Sequence, residues 1–238
     1  APEGIHTLYY YSIDSGGDTE TVKSKLFKVD TTPPTASLNT PYYSTNISTN
    51  PTFKLSWSGI DNTSGIKTYD VIYKVGTSGS WIDFLTNTPK TYTYFTGSEG
   101  KTYYFKVRAK DNAGNISSYT TEKPTIVPYN QGVLYKYGTW YTASSSSMYK
   151  GDSFYSATKG SYLKRKLYSV KELSLIVTKR PKGGYAYIYL NGTKVKTIDF
   201  YSSTVKYRVP IVIKSYSLPQ TVVLKVYVPH TKNSYSSG

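Results

Sequence analysis

The sequence predicts an all-β protein built as tandem β-sandwiches, and three observations lead there. Apolar and polar residues alternate in short runs, as in Thr52-Phe53-Lys54-Leu55-Ser56-Trp57, Tyr103-Tyr104-Phe105-Lys106-Val107-Arg108-Ala109 and Tyr185-Ala186-Tyr187-Ile188-Tyr189-Leu190. A period of two marks a strand with one buried face. Tyrosine supplies 28 of the 238 residues, and its ring suits the half-buried pleated surface of a sheet. Finally, Gly, Asn, Asp and Pro clusters punctuate the runs at short spacing, and no segment holds an apolar stripe of helical period capped at both ends.

The length favours two compact units, and the charge divides along the chain. Residues 1–132 hold 12 Lys+Arg against 11 Asp+Glu, whereas residues 133–238 hold 17 against 3, namely Asp152, Glu172 and Asp199. The C-terminal part therefore carries +14 of the formal +15, which marks a domain boundary and predicts an anionic partner. Pro33-Pro34 and the stretch from Pro124 to Pro128 suit semi-rigid joints. Without cysteine there is no disulfide framework, thiolate metal site or cysteine nucleophile. No apolar run approaches the length of a membrane span, and the first residues lack a charged-then-apolar leader, so a soluble chain without membrane insertion is expected.

Taken in order, Glu3 to Asp14, a Gly16-Gly17 turn and Val22 to Val29 read as one β-hairpin ending in Asp30-Thr31-Thr32-Pro33-Pro34. This segment, residues 1–33, resembles the last two strands of bacterial Ig-like repeats. A lone hairpin is marginal in water, so residues 5–13 are expected to pair with a sheet other than their own hairpin, in this chain or in a neighbouring copy. Residues 35–127 look like a fibronectin type III-like or Ig-like module of bacterial extracellular proteins. The resemblance rests on Leu55-Ser56-Trp57-Ser58-Gly59, Asp61-Asn62-Thr63-Ser64-Gly65-Ile66, Trp81, Gly100-Lys101-Thr102-Tyr103 and Asp111-Asn112-Ala113-Gly114-Asn115. In such a sandwich Trp57 and alternate members of Tyr103 to Ala109 form the core.

Residues 132–238 resemble a β-sandwich domain appended to bacterial secreted hydrolases and cell-wall proteins. The matching residues are Gly138-Thr139-Trp140, Gly183-Gly184-Tyr185 through Asn191-Gly192, Thr197-Ile198-Asp199-Phe200-Tyr201-Ser202, and Thr231-Lys232-Asn233 with Ser236-Ser237-Gly238. The resemblance implies a jelly roll similar to galactose-binding modules. Two departures stand out: the family commonly continues with another strand after the Ser-Ser-Gly, and it is not normally so basic.

Common hydrolytic chemistry needs a positioned carboxylate pair, a Ser-His-Asp or Cys-His group, or a metal cage. His6 and His230 are the only histidines and share no metal-ligand spacing, so surface roles are expected and no enzyme is predicted. The loops of Asp61, Asn62 and Ser64 and of Asp111, Asn112 and Asn115 emerge at one pole of a fibronectin-type sandwich. Asp61, Asn62, Asp111 and Asn115 thus offer hard oxygens to a structural Ca²⁺, although the same residues serve tight turns; no other cofactor is required. Exposed rings can stack on a sugar's apolar face. Trp140, Tyr141 and Tyr201, with Lys179, Arg180 and Lys182, are the expected carbohydrate-binding residues, while Tyr185, Tyr187 and Tyr189 share one face, and one face of a sandwich strand is core. Lys164-Arg165-Lys166 could serve an anionic polymer or simply be a solvated surface. The resemblance makes an extracellular polymer the expected partner and nucleic acid an unlikely one.

Together these features predict non-catalytic modules of a larger secreted or cell-surface bacterial protein, binding polysaccharide or an anionic cell-wall polymer and targeting an upstream domain. The alternative is a purely structural spacer. Strand addition is the expected route to any oligomer.

Overall fold

The computed structural model describes residues 1–44, 51–229, 231 and 234–236. His230, Lys232, Asn233, Ser237 and Gly238, named above, lie outside the described residues. The chain splits into two compact units, Ala1–Ser44 with Thr52–Pro128, and Tyr129–Gly238. Apart from two 3₁₀ turns, the regular structure of the described residues is strand, which makes the fold all-β.

Strands β1 (Gly4–Tyr10) and β2 (Lys23–Val29) form an antiparallel ladder running from Gly4 opposite Val29 to Tyr10 opposite Lys23. The turn is organised by Asp14, whose Oδ1 accepts from the amides of Gly16 and Asp18, each at 2.9 Å. Gly17 there takes a φ of 90°, a conformation that glycine adopts without a Cβ clash. Among the described residues the sheet holds these two strands alone, and Ile13 bridges Thr19. Among the described residues, pairing of residues 5–13 with another sheet of this chain is therefore overturned: β2 saturates one edge of β1, and no further described strand is laid on the other. Ile5, Leu8 and Leu26 remain exposed on the ladder.

The first sandwich follows. Strands β3 (Thr35–Asn39), β4 (Thr52–Ile60), β5 (Ile66–Val75), β6 (Ile82–Thr88), β7 (Tyr92–Thr96), β8 (Thr102–Asp111) and β9 (Lys123–Ile126) form two antiparallel sheets, ordered β3-β4-β7 and β6-β5-β8-β9. This three-on-four layering is that of a fibronectin type III-like sandwich. Every second residue of β8 is buried, giving Tyr103, Phe105, Val107, Ala109 and Asp111 to one face. The first four pack with Leu38, Phe53, Leu55, Trp57 and Phe95. The Phe95 ring lies 4.9 Å from Tyr103 and 5.0 Å from Phe105, centroid to centroid. Burying the Trp57 indole leaves one donor to satisfy, and its Nε1 donates to the Lys90 carbonyl at 2.7 Å.

In the second unit, strands β10 (Tyr135–Tyr137), β11 (Tyr141–Ser144), β12 (Asp152–Tyr155), β13 (Tyr162–Lys179), β14 (Tyr185–Leu190), β15 (Thr193–Asp199) and β16 (Lys206–Tyr227) make a five-stranded sheet ordered β10-β13-β16-β14-β15 and a ribbon of β11 with β12. Drawn straight, the 18 residues of β13 would span about 60 Å, against a breadth of roughly 35 Å for a compact unit of this size. The strand must bend, and its ladder with β16 is interrupted between Leu167 and Glu172, the position of Ser169 with its φ of 53°. Bulges turn strands in this way. The bend brings both halves of the ladder onto one core: Leu163, Leu224 and Val226 from one half join Leu173 and Ile213 from the other around Ile188, Leu190 and Ile198. Lys196 Nζ on β15 reaches the Val212 carbonyl in the far half at 2.7 Å. Pro210 is tolerated because, among the described residues, this half of β16 pairs with β13 alone. The result is a β-sandwich made by folding one long sheet over itself.

Candidate functional site

The outer face of the five-stranded sheet is built by its register. Tyr137 on β10 lies opposite Tyr162 on β13, Tyr162 opposite Tyr227 on β16, and Tyr227 opposite Tyr187 on β14. Four tyrosines thus form one rung across four adjacent strands. Two residues along, on the same face, a second rung reads Tyr135, Lys164, Lys225, Tyr189 and Lys194. The intervening residues Leu163, Val226 and Ile188 are buried in the core, so the alternation turns both rungs outward. The rings are organised among themselves: Tyr137 stacks on Tyr162 at 4.7 Å and 15°, and Tyr187 on Tyr227 at 6.4 Å and 25°. The Lys225 ammonium lies 4.4, 5.3 and 5.7 Å from the Tyr162, Tyr227 and Tyr189 centroids, and that of Lys194 lies 3.3 Å from Tyr187. Cation–π attraction thus fixes the ammonium groups among the rings. Lys164 and Lys225 face each other directly.

Sequence reasoning missed this face. It placed Tyr185, Tyr187 and Tyr189 on one face of their strand without deciding between core and surface; the buried members are Ala186, Ile188 and Leu190. The signal was present in Leu224 and Val226 of the partner strand, which share the phase of Ile188 and Leu190.

The expected carbohydrate-binding residues are distributed otherwise. Trp140 packs against the core and donates from Nε1 to the Tyr137 carbonyl at 3.0 Å, which uses its ring as a wall of the sandwich. Tyr141 is exposed and stacks on Tyr155 at 5.5 Å, and the Arg180 guanidinium lies 5.8 Å from the same Tyr155 ring. Arg180 bridges Tyr201, whose ring lies 6.2 Å from Tyr235. Tyr141, Arg180 and Tyr201 thus fall along one row of rings, with Tyr155 and Tyr235 as members the sequence did not single out. Lys182 is exposed in the adjoining turn, where Gly183 is obligatory: a Cβ there would meet the Phe200 carbonyl oxygen at 2.1 Å. Lys179 lines a shallow groove with Lys196, Asp199 and Ile211.

At the pole of the first sandwich, the carboxylates of Asp30, Asp61 and Asp111 lie within 4.8 Å of one another. Asp61 Oδ1 accepts from the amides of Thr63, Ser64 and Gly65, the last at 2.6 Å. Asp111 is fully buried and accepts from the Gly114 and Asn115 amides and from Asn115 Nδ2. Burial pushes the Asp111 carboxyl up, but the Asn115 side chain and the Asn115, Gly114 and Ala113 amides outweigh it and hold the group below its ordinary value. Asp30 reaches across from the end of the hairpin, accepting from the Ser64 amide at 3.1 Å, while its own carbonyl takes Asn115 Nδ2 at 3.0 Å. Asn62 is exposed. Asp30, which the sequence assigned to a linker, joins the expected loops because the hairpin ends at this pole. Among the described residues no Lys or Arg forms an ion pair with the three carboxylates.

No family model matches the chain. It is 32% identical over 154 residues to chitinase Chi52 of Paenibacillus xylanexedens, a match covering 61% of this chain and 26% of that protein. The chain thus spans about a quarter of that relative's length. Among solved structures, an Fn3-like protein from Clostridium thermocellum is 24% identical, with 42% of this chain and 98% of that one covered and a TM-score of 0.31. An α-L-rhamnosidase from Dictyoglumus thermophilum is 12% identical, with 86% and 25% covered and a TM-score of 0.37. The sandwich assignment rests on this chain's own strand order.

Proposed function

We propose that this chain is a non-catalytic, polysaccharide-binding segment of a larger secreted or cell-surface bacterial protein, with the second unit as the binding module and the first as a spacer. The observation that carries the reading is the outward rung of Tyr137, Tyr162, Tyr227 and Tyr187 across four strands. A row of tyrosines and lysines across a rigid sheet offers apolar surface to successive sugars and polar groups to their hydroxyls. A relative named a chitinase, of which this chain spans 26%, supports an accessory role beside an enzyme and makes chitin the first polymer to try. The finer lineage proposed for the second unit is that of the galactose-binding-like jelly rolls.

The test is co-sedimentation of the full chain with insoluble chitin, cellulose and bacterial cell walls. Each stacked aromatic contact contributes about 0.5–1.5 kcal/mol, so replacing Tyr162 and Tyr227 by Ala should weaken retention by roughly ten- to a hundredfold. Retention unchanged in that double variant, or absent on every polymer, would overturn the reading.

A structural Ca²⁺ at Asp30, Asp61 and Asp111 belongs to the same proposal. Oxygens bound to one Ca²⁺ at about 2.3–2.6 Å lie no more than about 5 Å apart, a limit the 4.8 Å cluster meets. Hard carboxylate oxygens are the donors this ion prefers, and it would tie the hairpin to two loops of the sandwich.

A further inference from the structure

We infer that the tyrosine face binds acidic polysaccharide, with carboxylate or phosphate groups of the glycan held by Lys164, Lys225 and Lys194 while its sugar rings lie on the tyrosines. This rests on the reading of that face as a polysaccharide surface and adds the charge of the ligand. Three features of the face point to an anion. Its two rungs contain no carboxylate, and among the described residues none of the three lysines forms an ion pair. Lys164 and Lys225 stand directly opposite each other, an arrangement of like charges that destabilises a sheet. An anion between them removes that repulsion, so the protein is poised to gain from binding one. The Lys225 ammonium is also held within 5.7 Å of three ring centroids. The cation is therefore presented at the level of the rings, where a substituent of a sugar packed against Tyr162 or Tyr227 would arrive.

The charge of the whole unit acts in the same direction. With 17 basic residues against 3 acidic ones over residues 133–238, its field draws polyanions from beyond contact distance. The rungs then decide where the polymer settles. A chain lying along the tyrosine rung crosses the strands and passes the lysine rung two residues away on the same pleat. One polymer thereby meets rings and cations together, and a neutral glycan of the same shape leaves the lysines unmatched.

The experiment is a set of binding isotherms for the full chain against polygalacturonate, phosphorylated amylose, a neutral galactan and polyglutamate, each repeated with a Lys164→Gln/Lys225→Gln variant. At least one acidic glycan should bind tenfold or more tightly than the galactan, and the variant should lose most of that preference. Polygalacturonate alone would assign carboxylate, and phosphorylated amylose alone phosphate; either supports the inference. Equal affinity for galactan and acidic glycans, unaltered in the variant, would overturn the inference and leave the polysaccharide reading standing. Polyglutamate binding as tightly as the acidic glycans would overturn it by showing charge collection without sugar recognition. Failure of all four polymers to bind would overturn the inference, while the polysaccharide reading stands or falls with the chitin, cellulose and cell-wall sedimentation.

Discussion

Asp111 closes strand β8 with a carboxylate on the face that Tyr103, Phe105, Val107 and Ala109 give to the core. Such a group is tolerated inside because the chain turns back over it: the Gly114 and Asn115 amides and the Asn115 side chain meet its oxygens at 2.6–2.9 Å. Its folded pKa is depressed below 3.8, so its contribution to stability is fully present above the unfolded carboxylate value. That contribution is lost as pH falls through the lower folded value. Asp111 therefore stays ionised in mild acid. Calcium should raise the melting midpoint of the first unit near neutral pH, by an amount set by its concentration over Kd, about 2.7 kcal/mol at a hundredfold excess. Asp30→Asn should abolish most of that response while leaving the core intact. Identical midpoints in calcium and in chelator, for the parent chain, would remove the ion from this site. Asp61 and Asp111 were legible from turn chemistry in sequence, whereas Asp30 was not, because its place depends on where a hairpin some thirty residues away ends.

At the scale of strands, alternation tells that a segment has two faces without telling which is inside. Tyr103 to Ala109 was expected to give alternate members to the core, and the phase that does so carries Phe105 and Val107. Tyr185 to Leu190 was left open, because its aromatic phase is as bulky as its aliphatic one. Register decides: Ile188 and Leu190 face Val226 and Leu224 in the partner strand and are buried, while Tyr187 faces Tyr227 outward. The two phases should therefore respond differently to truncation. Ile188→Ala removes a fully buried side chain and should destabilise the second unit by about 2–5 kcal/mol. Tyr227→Ala, on the solvent side, should lower stability by less than about 1 kcal/mol while weakening polymer retention. Urea unfolding of both variants checks this, and equal losses would mean that the tyrosine rung is a second core. The bend in β13 was likewise beyond reach, since no glycine or proline marks it and Ser169 takes the left-handed conformation instead.

For the whole molecule, the uneven charge has consequences for stability as well as for binding. The boundary between units at Pro128 and Tyr129 falls close to the charge step read from sequence, where 12 bases against 11 acids give way to 17 against 3. Like charges crowded on a compact surface repel, and the repulsion is relieved on unfolding. Exposed charges are screened over about 8 Å at physiological ionic strength and about 3 Å at 1 M. Salt should therefore stabilise the second unit while it weakens that unit's hold on a polyanion. The first unit, near neutrality, should respond little. Two calorimetric transitions are expected, of which one rises by several degrees between roughly 0.02 and 0.5 M sodium chloride, while retention on acidic polymer falls over the same range. The transition that moves is assigned by the Ile188→Ala substitution, which lowers the second unit alone. Transitions that shift together, or polymer retention indifferent to salt, would show that the excess of lysine and arginine is merely solvated surface.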